Sequence, residues 1–156
     1  MSDEAVGIRQ ATPDDLPLVL RHRRGMFFDM GYREEAELQA MEQASRPLFA
    51  EGLRDGTYLG FFAVDAGGRV IAGGGVLLLV YQPHPKDPRP RRPFVVNMYT
   101  EPEQRRRGLA RRLLKAMIEW ARREGYPSLF LHASAEGRPL YEELGFEPTS
   151  EMRLRL

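Results

Sequence analysis

Three consecutive arginines, Arg105, Arg106 and Arg107, stand directly before Gly108 at the entrance to a strongly helical stretch. The first turn of a helix leaves main-chain N–H groups without partners and carries the positive end of the helix dipole. Such a place suits an anion, phosphate above all. Gly108 and Ala110 keep side chains small where backbone would approach a diphosphate, and Arg105 to Arg107 add charge beside it. The competing reading is a solvated charge run with a loop glycine, and from glycine and arginine alone both are equally open. A phosphate loop ending in Gly-Lys-Ser/Thr is excluded because its paired glycines and that ending are absent. A dinucleotide fingerprint would find only one of its three glycines.

Positioning such a site takes a strand before it and a helix after it. Phe94 to Thr100 reads as that strand. Gly108 to Glu124 reads as that helix: Leu109, Leu113, Leu114, Met117, Ile118 and Ala121 recur at helical spacing, with charged residues mostly opposite. Gly125 stops it and Pro127 prevents its continuation. Upstream, Val6 to Ala11 reads as a short strand. Thr12 caps a first helix from Pro13 to about Arg24, with Gly25 and Gly31 as breaks. A second helical region covers about Arg33 to Arg54, where Pro47 forces a kink or a restart. Thr57 to Ala66 and Arg69 to Tyr81 form an antiparallel hairpin around Gly67-Gly68, and Gly73-Gly74-Gly75 mark a bulge or close approach. Gln82 to Pro93 has five prolines and four basic residues, so it is expected outside the sheet as a flap. Ser128 to Ala133 reads as a strand, Pro139 to Leu144 as a short helix, and Met152, Leu154 and Leu156 alternate in a final strand.

This order predicts a mixed α/β protein in which helices flank a mostly antiparallel sheet, as one domain over residues 1–156. The chain has no cysteine, which excludes a disulfide scaffold, a thiolate nucleophile and Cys-ligated metal. His22, His84 and His132 lack metal-ligand spacing, so no metal is expected. The net charge of +1 argues against a dedicated nucleic-acid binder. The longest nearly apolar run, Val70 to Tyr81, has 12 residues, short of the roughly 20 that cross a bilayer. The acidic start lacks the features of a signal peptide, so a cytoplasmic protein is expected.

Arg105-x-x-Gly108-x-Ala110, three residues after Pro102 and entering an amphipathic helix, resembles the acyl-CoA-binding motif of the GNAT acetyltransferase superfamily. Ser134 to Phe146, with Leu140-Tyr141 and Gly145-Phe146, resembles that family's other CoA-side segment. The two lie about 25 residues apart, as a helix-plus-strand crossover requires. The resemblance extends from Ile8 to Leu156. It implies transfer of an acetyl group from acetyl-CoA to a small-molecule or peptide amine by direct attack. Main-chain groups of Met98 and Thr100 would bond the pantetheine arm. Main-chain N–H groups of Arg105, Arg106, Arg107, Gly108, Leu109 and Ala110 would hold the diphosphate. Tyr141 would protonate the departing thiolate. Ser134 stands where many members carry an asparagine that contacts the cofactor.

The acceptor side is less defined. It would involve Arg21 to Tyr32 and the flap; Met26, Phe27, Phe28 and Met30 read first as core. His22, Arg23 and Arg24 favour either an acidic acceptor or simply a solvated surface. The strand Phe94–Thr100 has no carboxylate, which leaves Asp29, Glu101, His132 or a water chain as general base. His132, on the Ser134 face of a buried strand, reads first as a structural histidine. Asn97 and Tyr99 share one strand face, Met98 and Thr100 the other, and a buried Asn97 would order the site. The apolar C-terminal strand suggests a homodimer. Two rivals remain: a CoA-binding module without catalysis on the same fold, and a nucleic-acid binder using Arg105 to Arg112.

Overall fold

The aromatic and β-branched residues from Tyr58 to Val80 build the centre of the molecule. The computed structural model describes residues 5–156; the acidic start, Met1–Glu4, lies outside the described residues. Strand β1 (Gly7–Gln10) is followed by a 3-10 turn and helix α1 (Leu16–Asp29), then α2 (Glu35–Asp55). Next come β2 (Tyr58–Val64), β3 (Val70–Val80), β4 (Arg91–Thr100), α3 (Leu109–Arg123) and α4 (Arg138–Glu143). The four strands form one antiparallel sheet in the order β1-β2-β3-β4. The β2–β3 turn closes through Asp65, whose carboxylate accepts from the N–H groups of Gly67 and Arg69 at 3.0 and 2.9 Å.

Alternation along β2 divides the core. Phe61 and Ala63 face α3 and join Ile71, Val76, Leu113, Leu114 and Met117. Tyr58 and Phe62 face α1 and α2 and join Val19, Leu20 and Phe49. Leu113, Leu114 and Met117 are fully buried, each stabilising the fold by roughly 1.5–3 kcal/mol. The glycine triplet in β3 makes room for large side chains. A Cβ on Gly73 would lie 2.6 Å from His22 Nδ1, and one on Gly74 would lie 2.8 Å from the Met117 methyl.

Several boundaries differ from expectation. Helix α1 runs through Gly25 instead of ending at Arg24, and the glycine there serves packing: the Tyr99 ring fills the space beside it, where a Cβ would lie 2.7 Å from Cε2. Helix α2 is continuous across Pro47, with no restart. Strand β4 begins at Arg91, so Arg91, Arg92 and Pro93 belong to the sheet rather than to the flap. The remaining flap is anchored away from the α3 N-terminus. Arg89 donates to the carbonyls of Glu124 and Gly125 at 3.0 and 2.8 Å, past the C-terminal end of α3, and lies over the Tyr126 ring.

The expected strand Ser128–Ala133 retains only a parallel bridge between Phe94 and Phe130. The expected final strand is also absent: Met152, Leu154 and Leu156 are 94%, 82% and 114% exposed. An isolated extended segment has no neighbour to accept its ladder bonds or cover its apolar face. His132 is correspondingly exposed, 3.3 Å from Glu151, and is not a buried structural histidine. Met30 and Phe28, expected in the core, are about half exposed.

Candidate active site

The site begins where β4 loses a neighbour. Val95 N–H donates to Phe130 O and Phe130 N–H to Pro93 O, at 2.7 and 3.0 Å. Beyond this pair, among the described residues, no main-chain bond joins β4 to the segment that follows Phe130. The two stretches diverge into a cleft of about 920 Å³. Met98, Tyr99 and Thr100 line one wall; Leu131, Ser134 and Tyr141 line the other.

A bulge shapes the β4 wall. Gly73 faces Tyr99 and Gly75 faces Val96, so Asn97 and Met98 together oppose Gly74. Asn97 takes a left-handed φ of 62°, a conformation asparagine tolerates better than most residues. Val96 and Asn97 consequently both turn toward α1 and α2. Asn97 and Tyr99 share that face, while Met98 packs toward α3. Asn97 is buried and bonded at both ends: Arg23 Nη1 donates to its Oδ1 at 2.9 Å, and its Nδ2 donates to Tyr58 Oη at 3.1 Å. Burial pushes the Tyr58 phenol up to about 12, so it stays protonated.

Beyond β4, Glu101 is buried and ion-paired to Arg21. The chain then makes a 3-10 turn, Pro102–Gln104, and a tight connection into α3. Arg106 and Gly108 both have left-handed φ, 64° and 71°. Helix α3 has no side-chain cap, and its first internal bond runs from Arg112 N–H to Gly108 O. The N–H groups of Leu109, Ala110 and Arg111 are therefore without main-chain acceptors, as the geometry of a first turn requires. The side chains here do other work. Leu109 is buried in the core, Arg107 bonds Gln104, and Arg106 is exposed. Arg105 reaches back to Thr100 O at 3.0 Å and to Asp29 at 2.6 Å.

On the opposite wall, Ser134 Oγ accepts from Gly137 N–H at 3.1 Å and so shapes the entry to α4. Tyr141, in α4, packs edge-on to Phe146, and burial raises its phenol pKa above the ordinary value. The structure thus gathers Met98, Thr100, Arg105, Ser134 and Tyr141 around one cleft. Arg106, Arg107, Gly108, Leu109 and Ala110 form the turn next to it.

Helix α1 closes the other side with Arg23, Met26 and Phe27. Met26 and Phe27, read first as core, face this opening. Remaining flap residues line a separate hollow with Pro127, Ser128 and Phe130, not this cleft. His22 lies deeper, with neither ring nitrogen bonded and Glu101 Oε1 3.9 Å away. Its burial lowers the ring pKa to about 4, with Arg21 acting in the same direction, so the ring is neutral. Among the described residues no three His, Cys, Asp or Glu side chains gather as a metal site. No helix among them is long and apolar enough to cross a membrane.

Residues 20–146 match the model of the acetyltransferase (GNAT) family. The chain belongs to that family and is an acetyltransferase. A GCN5-related N-acetyltransferase from Ralstonia eutropha is 34% identical, with 97% of this chain and 99% of that one covered at a TM-score of 0.88. A predicted acetyltransferase from Clostridium acetobutylicum, crystallised with acetyl-CoA, is 25% identical, covering 97% and 96% at a TM-score of 0.85. An aminoglycoside N-acetyltransferase in complex with CoA shares the fold at 21% identity, covering 99% and 96% at a TM-score of 0.65. A search of curated protein sequences found no match.

Proposed function

We propose that this enzyme transfers the acetyl group of acetyl-CoA to a primary amine by direct attack. The observation carrying the reading is the cleft itself: an unpaired β4 edge in one wall, the uncapped start of α3 at its end and Tyr141 in the other wall. The donors fit a diphosphate. Left-handed backbone at Arg106 and Gly108 folds the chain into an anion-binding turn, and the free N–H groups of α3 continue it. Met98 and Thr100 offer main-chain groups to an amide-bearing arm lying along β4 like an added strand.

Bound acetyl-CoA supplies an activated thioester. Strand-end N–H groups of β4 hold the reacting carbonyl and complement the charge that develops on its oxygen. Asn97, fixed by Arg23 and Tyr58, keeps the bulge rigid. Tyr141, whose phenol burial holds further above its ordinary pKa, delivers its proton to the leaving sulfur, and the proton lost by the attacking amine passes to solvent in the open cleft. Catalysis by positioning of this kind needs no nucleophile from the protein, and the chain has no cysteine to form an acyl-cysteine. A cytoplasmic location and a homodimer built on the exposed C-terminal residues complete the reading.

The test is a panel of small-molecule and peptide amines with acetyl-CoA, followed by free-thiol release. Amine-dependent thiol production is expected. Tight CoA binding with no turnover on any amine would leave a CoA-binding module instead.

A further inference from the structure

Three cations, Arg21, Arg23 and Arg24, stand within about one turn of α1, and two have carboxylate partners. Arg21 pairs with Glu101, and Arg24 pairs with Glu35 and Glu42 at 2.5 and 3.5 Å. Arg23 does not: among the described residues no carboxylate lies within 4 Å of its guanidinium. Its partners are neutral, Asn97 Oδ1 at 2.9 Å and Ser45 Oγ at 3.2 Å, and it lies over the rings of Phe27 and Phe49. Those bonds use Nη1 and Nε; Nη2 has no protein acceptor. The group is half-buried, and desolvation lowers its pKa, yet a guanidinium stays charged.

A half-buried charge without a counter-charge is costly, and proteins keep one where a ligand completes it. Arg23 borders the α1 side of the cleft. The other charges there are differently placed. Arg105 and Asp29 neutralise each other at 2.6 Å, His132 stands beside Glu151, and Glu136 is exposed at the approach to α4. The acceptor side therefore holds one uncompensated, pre-oriented cation with a free N–H edge. Ring faces and the Asn97 amide fix its plane, which suits an oxyanion better than a mobile lysine would.

We infer that Arg23 binds an anionic group on the acceptor, so that the preferred substrate is a primary amine that also carries a carboxylate or a phosphate. This rests on the amine-acetylation reading and narrows it.

The experiment uses two matched pairs: lysine against cadaverine, and glucosamine 6-phosphate against glucosamine. The wild-type enzyme should favour the anionic member of at least one pair by at least about tenfold in kcat/KM. Which pair responds separates carboxylate from phosphate. In Arg23→Gln that ratio should fall about tenfold with CoA affinity retained, while any loss of kcat through the freed Asn97 is shared by both members of a pair. Arg23→Lys should keep part of it. A purely structural arginine would instead lower activity on both members together. Equal kcat/KM within both pairs in wild type, or an undiminished preference in folded Arg23→Gln, overturns the assignment. If no amine is acetylated, the catalytic reading fails separately. Calorimetry of the anionic compounds on the CoA complex then decides: binding weakened in Arg23→Gln supports Arg23, and equal or absent binding refutes it. If Arg23→Gln does not fold, inorganic phosphate and acetate are tested as competitors in wild type, and absence of inhibition refutes the proposal.

Discussion

Tyr141 is half-buried beside Phe146, and burial raises its phenol pKa above the ordinary value. A thiol with pKa near 8.5 is already a fair leaving group, so proton delivery should contribute at the low end of general acid catalysis. Tyr141→Phe keeps the ring contact. We expect kcat to fall about 10²-fold, roughly 2.7 kcal/mol, with melting temperature and CoA affinity nearly unchanged. Steady-state kinetics beside a melting curve checks this, and a wild-type kcat in the folded variant removes Tyr141 from the mechanism. His22 governs a different property. Its folded pKa of about 4 lies below the ordinary 6.5. Between these values the unfolded chain takes up a proton that the folded chain refuses. Stability should therefore fall as pH drops from about 6.5 to 4, by about 3 kcal/mol in total, and His22 should contribute no slope above that window. Denaturant titrations at several pH values for wild type and His22→Leu test it; identical pH profiles would contradict the buried neutral ring.

Two elements hold the site in position. The turn before α3 needs Gly108 at a φ of 71°, where a β-branched residue is strained by roughly 1–2 kcal/mol. Gly108→Val should lower the melting temperature and weaken CoA binding at least about tenfold, roughly 1.4 kcal/mol. Calorimetry on folded variant with undiminished CoA affinity would remove this turn from the binding site. The flap behaves otherwise. Arg89 fastens it past the far end of α3 through Glu124 O and Gly125 O. Arg89→Ala should cost about 1 kcal/mol of stability and leave amine preference untouched. A changed order of amine preference in that variant would return the flap to the acceptor site.

At the level of the whole molecule, Met152, Leu154 and Leu156 are exposed to solvent, and Glu151 beside them lies 3.3 Å from His132 in the segment that follows Phe130. A second copy of the chain would cover these apolar residues. Sedimentation at micromolar concentration is expected to give a dimer, and Leu154→Asp to shift it toward monomer. A monomeric wild type would leave them without a partner.

Local pattern carried the helical and sheet framework. The period of α3 and the Gly67-Gly68 turn are encoded within a few residues, so they are readable in the chain alone; the first helix, expected from Pro13 with Thr12 as its cap, instead begins at Leu16 after a 3-10 turn, and Thr12 makes no side-chain cap bond. The turn proposed to hold a diphosphate is readable for the same reason: glycine, arginine and a helix start are sequence neighbours. What depended on distant residues was not readable. The need for a glycine at position 25, inside a helix, comes from Tyr99, seventy-four positions later, which packs on it. The bulge at Asn97 is a register mismatch between β3 and β4, visible only once the strands are paired. The difference between Arg24, compensated by Glu35 and Glu42, and Arg23, compensated by nothing, exists only where α1, α2 and β4 meet. Helical and turn preferences act over one to four residues, whereas the partners of a buried charge are chosen by packing between elements that the sequence holds far apart.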